Sequence, residues 1–169
     1  MEHDVVALVI RPYAAQQGRR LNYQAQDSQQ TLAEGLEEYY RANVGVVSRP
    51  ASLPSDSAAL FSSHDLCHVI FGLDTTLGDE TIADFRTLLS SDVGWKRYLG
   101  YANDPLAKAV FKALGIWRTV LITLRTAPRI VRAIREMRRM NKKWPWVPPE
   151  SFQRRTLSDL RREFGIHII

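Results

Sequence analysis

The sequence predicts an all-α fold: a single-domain helical bundle of about six helices with a central metal-binding helix pair. Three observations predict it. Apolar residues recur at helical spacing along most of the chain, so one face of each segment can be buried. His64 and His68 stand four apart, which puts both rings on one helix face a turn apart. Glu80 opens the next periodic run, which returns a carboxylate to that face.

In chain order, Val5 to Ile10 is a short apolar run stopped near Pro12, and periodicity leaves it open between strand and helical turn. Gln16 to Asp27 is polar and reads as an exposed connection. Ser28 is the expected N-cap of a helix in which Leu32, Leu36, Tyr39 and Tyr40 form a core stripe up to Val44. Pro50 and Pro54 punctuate a loop. Ser55 or Asp56 then caps the motif helix, a mostly buried cylinder that Gly72 ends. Ile82, Phe85, Leu88 and Leu89 give the following helix its apolar face, and Trp95, Tyr98, Leu99 and Tyr101 read as packing in a short segment. From Pro105 a long amphipathic stripe runs through Leu114, Trp117, Leu121 and Leu124, with Pro128 expected to kink or split it before Ile130, Ile134 and Met137. Trp144 to Pro149 cannot continue a helix and should cross the surface, its indoles tucked in or dipped into lipid. Thr156 to Asp159 is a variant capping box for the last helix, with Gly165 as its C-terminal stop.

A chain of 169 residues can bury about two thirds of its unfolded surface as one domain. Its single cysteine excludes an internal disulfide, which points to a reducing or indifferent compartment. The Met1-Glu2-His3-Asp4 start lacks the basic region of a signal peptide, and no apolar run reaches membrane-spanning length. The expectation is a cytoplasmic protein, peripheral on the inner face of the membrane. The net charge of +5 is unevenly spread: Pro105 to Lys143 carries +10, leaving −5 elsewhere. That basic face reads as a solvated surface over a core stripe, as a surface for anionic lipid, or as a nucleic-acid surface. No nucleic-acid motif accompanies it, so nucleic acid is not the expected partner.

Two imidazole nitrogens with one or two carboxylate oxygens suit zinc with an open position, and equally non-haem iron(II) or manganese. Asp65 lies beside the histidines. Burial adds a physical motive, because carboxylates in a dry site need a cation to offset their desolvation. Cys67 points away from the His64 and His68 face and reads as a small core residue. Phosphohydrolase chemistry from His64-Asp65 would need further ligands, and the other histidines, His3 and His167, sit near the ends of the chain.

His64, Asp65, His68 and Glu80 match, residue for residue, the H-D-x-x-H-x(11)-E signature of the coenzyme Q biosynthesis protein four family. Gly72 falls where that family has a glycine, and Leu157 to Ile166 resembles its closing helix; Leu73-Asp74-Thr75 replaces a Pro-Thr-Asn-like turn. The resemblance implies loss of the ring carboxyl from a prenylated hydroxybenzoate, with or without oxidation, at a divalent metal, with peripheral membrane attachment. His64, His68 and Glu80 would hold the metal, zinc being the first choice, and Asp65 would be the fourth ligand or an acid/base group beside it. The partners implied are an isoprenoid or quinone-precursor lipid, an anionic membrane surface and other quinone biosynthesis enzymes; a homodimer is also allowed. The rival expectation is a non-catalytic isoprenoid-lipid-binding scaffold that organises a quinone biosynthesis complex around a structural metal.

Overall fold

The computed structural model describes residues 20–44, 55–103, 108 and 116–169. The Val5 to Ile10 run, the loop with Pro50 and Pro54, and Leu114 lie outside the described residues. Among the described residues there are six α-helices and no strand: α1 (Leu32–Ala42), α2 (Ser55–Phe71), α3 (Leu77–Ser90), α4 (Trp95–Ala102), α5 (Ile116–Met137) and α6 (Leu157–Phe164). The predicted all-α class is the observed one.

The chain enters α1 through a capping box at Thr31, not at Ser28. Thr31 Oγ1 accepts from Glu34 N at 3.2 Å while the Glu34 carboxylate accepts from Thr31 N at 2.8 Å, which satisfies two orphan donors at once. Ser28 instead lies buried in the preceding turn, its carbonyl accepting from Ser158 N at 3.0 Å. The described part of the Gln16 to Asp27 segment is exposed or half-buried except at one residue. It contains a 3-10 turn, Asn22–Gln24, whose Tyr23 is fully buried and donates its hydroxyl to the Leu73 carbonyl at 2.9 Å. One aromatic in a polar stretch was enough to pull the backbone inward.

The motif helix α2 is the centre of the molecule, with Ser63 to Phe71 buried without interruption. Its end is built closely. Gly72 takes φ +68°, which only glycine adopts cheaply, and Leu73 N donates to the His68 carbonyl at 2.8 Å, closing a Schellman turn. The next two carbonyls, Val69 and Ile70, each accept from the Arg161 guanidinium at 2.9 Å. Arg161, fully buried on α6, also reaches the Tyr23 carbonyl at 2.6 Å and the Ala25 carbonyl. A cation at this C-terminus also answers the helix dipole.

Helix α3 starts at an N-cap, Thr76, whose side chain accepts from Asp79 N at 3.2 Å. Across it lies α5, which runs through Pro128 without a break, so the expected split does not occur. The donor that proline lacks would have reached Leu124, a residue on the solvent side, where water can serve the freed carbonyl. The buried side of α5 carries Thr126, Ile130 and Ala133; Trp117, Leu121, Leu124 and Val131 lie on the opposite, exposed side. Trp144 and Trp146 are tucked into the core, held by Trp144 N to the Ser90 carbonyl at 2.8 Å and Trp146 N to Asp92 Oδ1 at 2.6 Å. Trp95 and Leu99, by contrast, are exposed rather than packed.

Candidate metal centre

Three of the four motif residues converge. His64 Nε2 and His68 Nε2 stand 3.1 Å apart, and Glu80 Oε2 lies 3.5 Å from the first and 3.4 Å from the second. Helical spacing sets the first distance, since residues four apart project one turn apart from the same face. The other two depend on the turn from Gly72 to Thr76, which aims the first turn of α3 back at the imidazoles. Among the described residues this trio could hold a metal ion.

The donor set fits a cation on its dimensions. Ligand bonds of about 2.0–2.2 Å in a tetrahedral site place neighbouring donors roughly 3.3–3.5 Å apart. Two imidazole nitrogens and a carboxylate oxygen already stand close to that triangle. The rings are almost wholly buried, whereas the Glu80 side chain is 34% exposed, so the triangle has a dry side and a side facing out.

The surroundings fix the His68 ring. His68 Nδ1 donates to the Asp74 carbonyl at 3.1 Å, which leaves Nε2 to face the centre. The Tyr39 ring stacks on the His68 ring at 5.4 Å between centroids. Burial works against charge on His68, but the carboxylates of Glu80, Asp65 and Asp79 prevail and raise its pKa to about 9. Burial likewise works to raise the Glu80 pKa, and the two imidazoles overcome it and hold the carboxyl well below the ordinary range. A proton on His68 thus balances the carboxylate at this triangle.

Asp65 is placed differently from the other three. Its Oδ2 accepts from the Tyr40 hydroxyl at 2.9 Å, and it is not one of the three converging donors. Burial pushes its pKa up to about 6 despite the nearby imidazoles. Cys67 is fully buried, and burial lifts its thiol to about 12, in keeping with a core role.

Two features escaped sequence reasoning. The Tyr39-Tyr40 pair reads as a core stripe, yet successive tyrosines grip His68 and Asp65, and nothing in their spacing announces it. Asp84 also belongs here, one turn after Glu80 on α3, hydrogen-bonded to Tyr98, half-buried and raised by burial to a pKa of about 6. The spacing from Glu80 was a usable signal for it. No family model, curated protein or solved structure matches the chain.

Proposed function

We propose that this protein is a metal-dependent carbon–carbon lyase resembling the coenzyme Q biosynthesis protein four family, acting on a prenylated hydroxybenzoate ring at an anionic membrane surface. The observation that carries the reading is the triangle of His64, His68 and Glu80 with sides of 3.1, 3.4 and 3.5 Å. Zinc is the ion we assign, because two imidazoles and one carboxylate leaving a position open match its catalytic sites; iron(II) or manganese would serve the same donors.

A divalent cation held there supplies Lewis-acid stabilisation for negative charge developing on a ring oxygen. The residues do the rest. Glu80 occupies the outward corner of the triangle, so a ligand approaches on its side. Loss of carbon dioxide breaks the bond between ring and carboxyl carbons and leaves an electron pair on the ring carbon, which a proton must take up. Asp65 and Asp84, both raised by burial to a pKa of about 6, hold protons far more readily than ordinary carboxyls in mildly acidic solution and are the donors we assign to that step. Tyr40 orients the first and Tyr98 the second. Three protein donors with Asp65 tied to Tyr40 favour this enzyme reading over the scaffold, whose structural metal would be closed by four ligands.

The outer side of α5 supports the membrane part of the proposal. Trp117 is 80% and Leu124 65% exposed, in one stripe with Leu121 and Val131, and Arg125, Arg132, Arg135 and Arg139 are exposed on the same helix and just beyond its end. An apolar stripe flanked by arginine suits an interface of anionic headgroups and acyl chains, from which an isoprenoid lipid could be drawn. No helix among the described residues is long and apolar enough to cross a membrane.

Elemental analysis of the purified protein tests the metal, with about one divalent ion per chain expected. His64→Ala and Glu80→Ala should each empty the site; metal kept at wild-type stoichiometry in both overturns it. Release of carbon dioxide from a prenylated hydroxybenzoate by the zinc-loaded protein tests the chemistry, and its absence with intact lipid binding returns the scaffold.

A further inference from the structure

His68 is held from behind by a continuous path that ends on the exposed side of α5. Its Nδ1 donates to the Asp74 carbonyl at 3.1 Å. The amide of the same Asp74 donates to Asp79 Oδ2 at 2.9 Å. The other oxygen of that carboxylate, Oδ1, accepts from Arg129 Nη2 at 2.6 Å. The Asp79 side chain is 13% exposed and that of Arg129 47% exposed, so the path runs from a fully buried imidazole to the surface in four residues.

Two further observations show that Arg129 is built into this place. The backbones approach closely enough that a Cβ on Gly78 would touch Thr126 Oγ1 at 3.4 Å and Arg129 Nη1 at 3.6 Å, so the guanidinium lies against the first turn of α3. The positive end of a helix dipole repels a cation, and the Asp79 carboxylate, itself favoured in that first turn, offsets this for Arg129. Asp79 in turn holds the Leu73–Asp74 peptide by its N–H with one oxygen, and the carbonyl the imidazole points at is that of Asp74, on the next peptide across the same Cα. Releasing Asp79 removes the restraint on the N–H side of Asp74, so the backbone dihedrals at its Cα can shift and carry the acceptor for His68 with them.

We propose that Arg129 is a positioning residue for the metal centre. Through Asp79 and the Asp74 peptide it sets the orientation of the His68 ring, and it ties the fit of the metal site to the seating of α5 on α3. Its effect on affinity rests on the metal reading above; its effect on the ring does not. Hydrogen-bond partners behind metal-bound histidines are worth about 10–100-fold in affinity, and a partner two bonds removed belongs at the low end of that range.

The test compares Arg129→Gln, Arg129→Lys and, as a control on the same helix, Arg125→Gln, each as the full chain. Zinc affinity is measured by competition with a chromophoric chelator. The exchange rate of the His68 Nδ1 proton is read in proton–nitrogen spectra of the metal-free protein. Arg129→Gln should lose about tenfold in zinc affinity and expose the Nδ1 proton to faster exchange. Arg129→Lys, which keeps the charge and serves as the readout if the glutamine variant does not fold, should fall between the two, and Arg125→Gln should match wild type in zinc affinity and Nδ1 exchange. Unchanged affinity together with an unchanged Nδ1 exchange rate in Arg129→Gln overturns the proposal, as does an equal loss in Arg125→Gln. A wild-type protein that binds no zinc, while Arg129→Gln still exposes the Nδ1 proton, upholds the positioning role and removes the metal reading instead.

Discussion

The Tyr40 hydroxyl donates to Asp65 Oδ2 across 2.9 Å, inside the core and between α1 and the motif helix. The acid next to His64 in sequence is thereby committed to a different helix from the one that supplies Glu80. The same bond favours the ionised form of Asp65, against the burial that raises its pKa to about 6.

Removing that hydroxyl is therefore expected to be costly. Tyr40→Phe leaves a buried carboxyl short of a donor, which typically costs about 1–3 kcal/mol. Chemical denaturation of the metal-free protein should show a loss of that order, and carbon-detected titration should place the Asp65 pKa above its wild-type value. An unchanged Asp65 titration would mean that the bond does not form in solution.

Acidity should act on the metal-free protein in a defined direction. His68 binds its proton more tightly folded, at a pKa of about 9 against an ordinary 6.5, so its contribution is full below 6.5 and is lost as pH rises through 9. Asp65 and Asp84, raised from 3.8 to about 6, bind more protons when folded, so they too erode stability as pH rises from 3.8 past 6. Glu80 works the other way, its contribution lost as pH falls below 4.5. Urea midpoints in the presence of a chelator should decline from mildly acidic to alkaline pH. Saturating zinc should flatten the alkaline part, because binding at Nε2 replaces the proton there. A midpoint that climbs toward pH 9 without metal would contradict the imidazole–carboxylate geometry.

Arg161 should be among the most sensitive positions. Its three nitrogens serve four main-chain carbonyls, two of them at the end of the motif helix, and charged hydrogen bonds are worth about 1.5–3 kcal/mol each. Arg161→Met should cost about 3 kcal/mol or more, a large share of the roughly 5–15 kcal/mol that holds a domain folded. Arg161→Lys should rescue little, since one ammonium cannot span the four acceptors. Near-wild-type stability of the lysine variant would show that the charge alone suffices.

The outer face of α5 can be tested on vesicles of stated composition. Basic residues near an anionic surface contribute about 1 kcal/mol each, so reversing Arg132, Arg135 and Arg139 to glutamate should weaken co-sedimentation with phosphatidylserine vesicles by roughly a hundredfold or more. Trp117→Glu should weaken it independently, because that indole is exposed on the same face. Co-sedimentation unchanged by both sets leaves only a solvated charged face.

The sequence by itself determined the helical class, the pairing of His64 with His68, the stop at Gly72 and the caps at Thr156 and Gly165. Each of these follows from local geometry: a fixed angle per helical residue, a positive φ that only glycine accepts cheaply, a side-chain oxygen reaching its own backbone. Glu80 was legible as a candidate because it opens the next helix, but its distance to the imidazoles depends on how the turn and α3 pack. Tertiary structure alone decided that Asp65 turns to Tyr40, that Tyr23 and Arg161 seal the end of the motif helix, and that α5 runs on through Pro128 with Trp117 and Leu124 facing outward. Such outcomes join residues far apart in the chain, and which partner a buried polar group finds, or which of two apolar faces is covered, depends on where other helices come to rest.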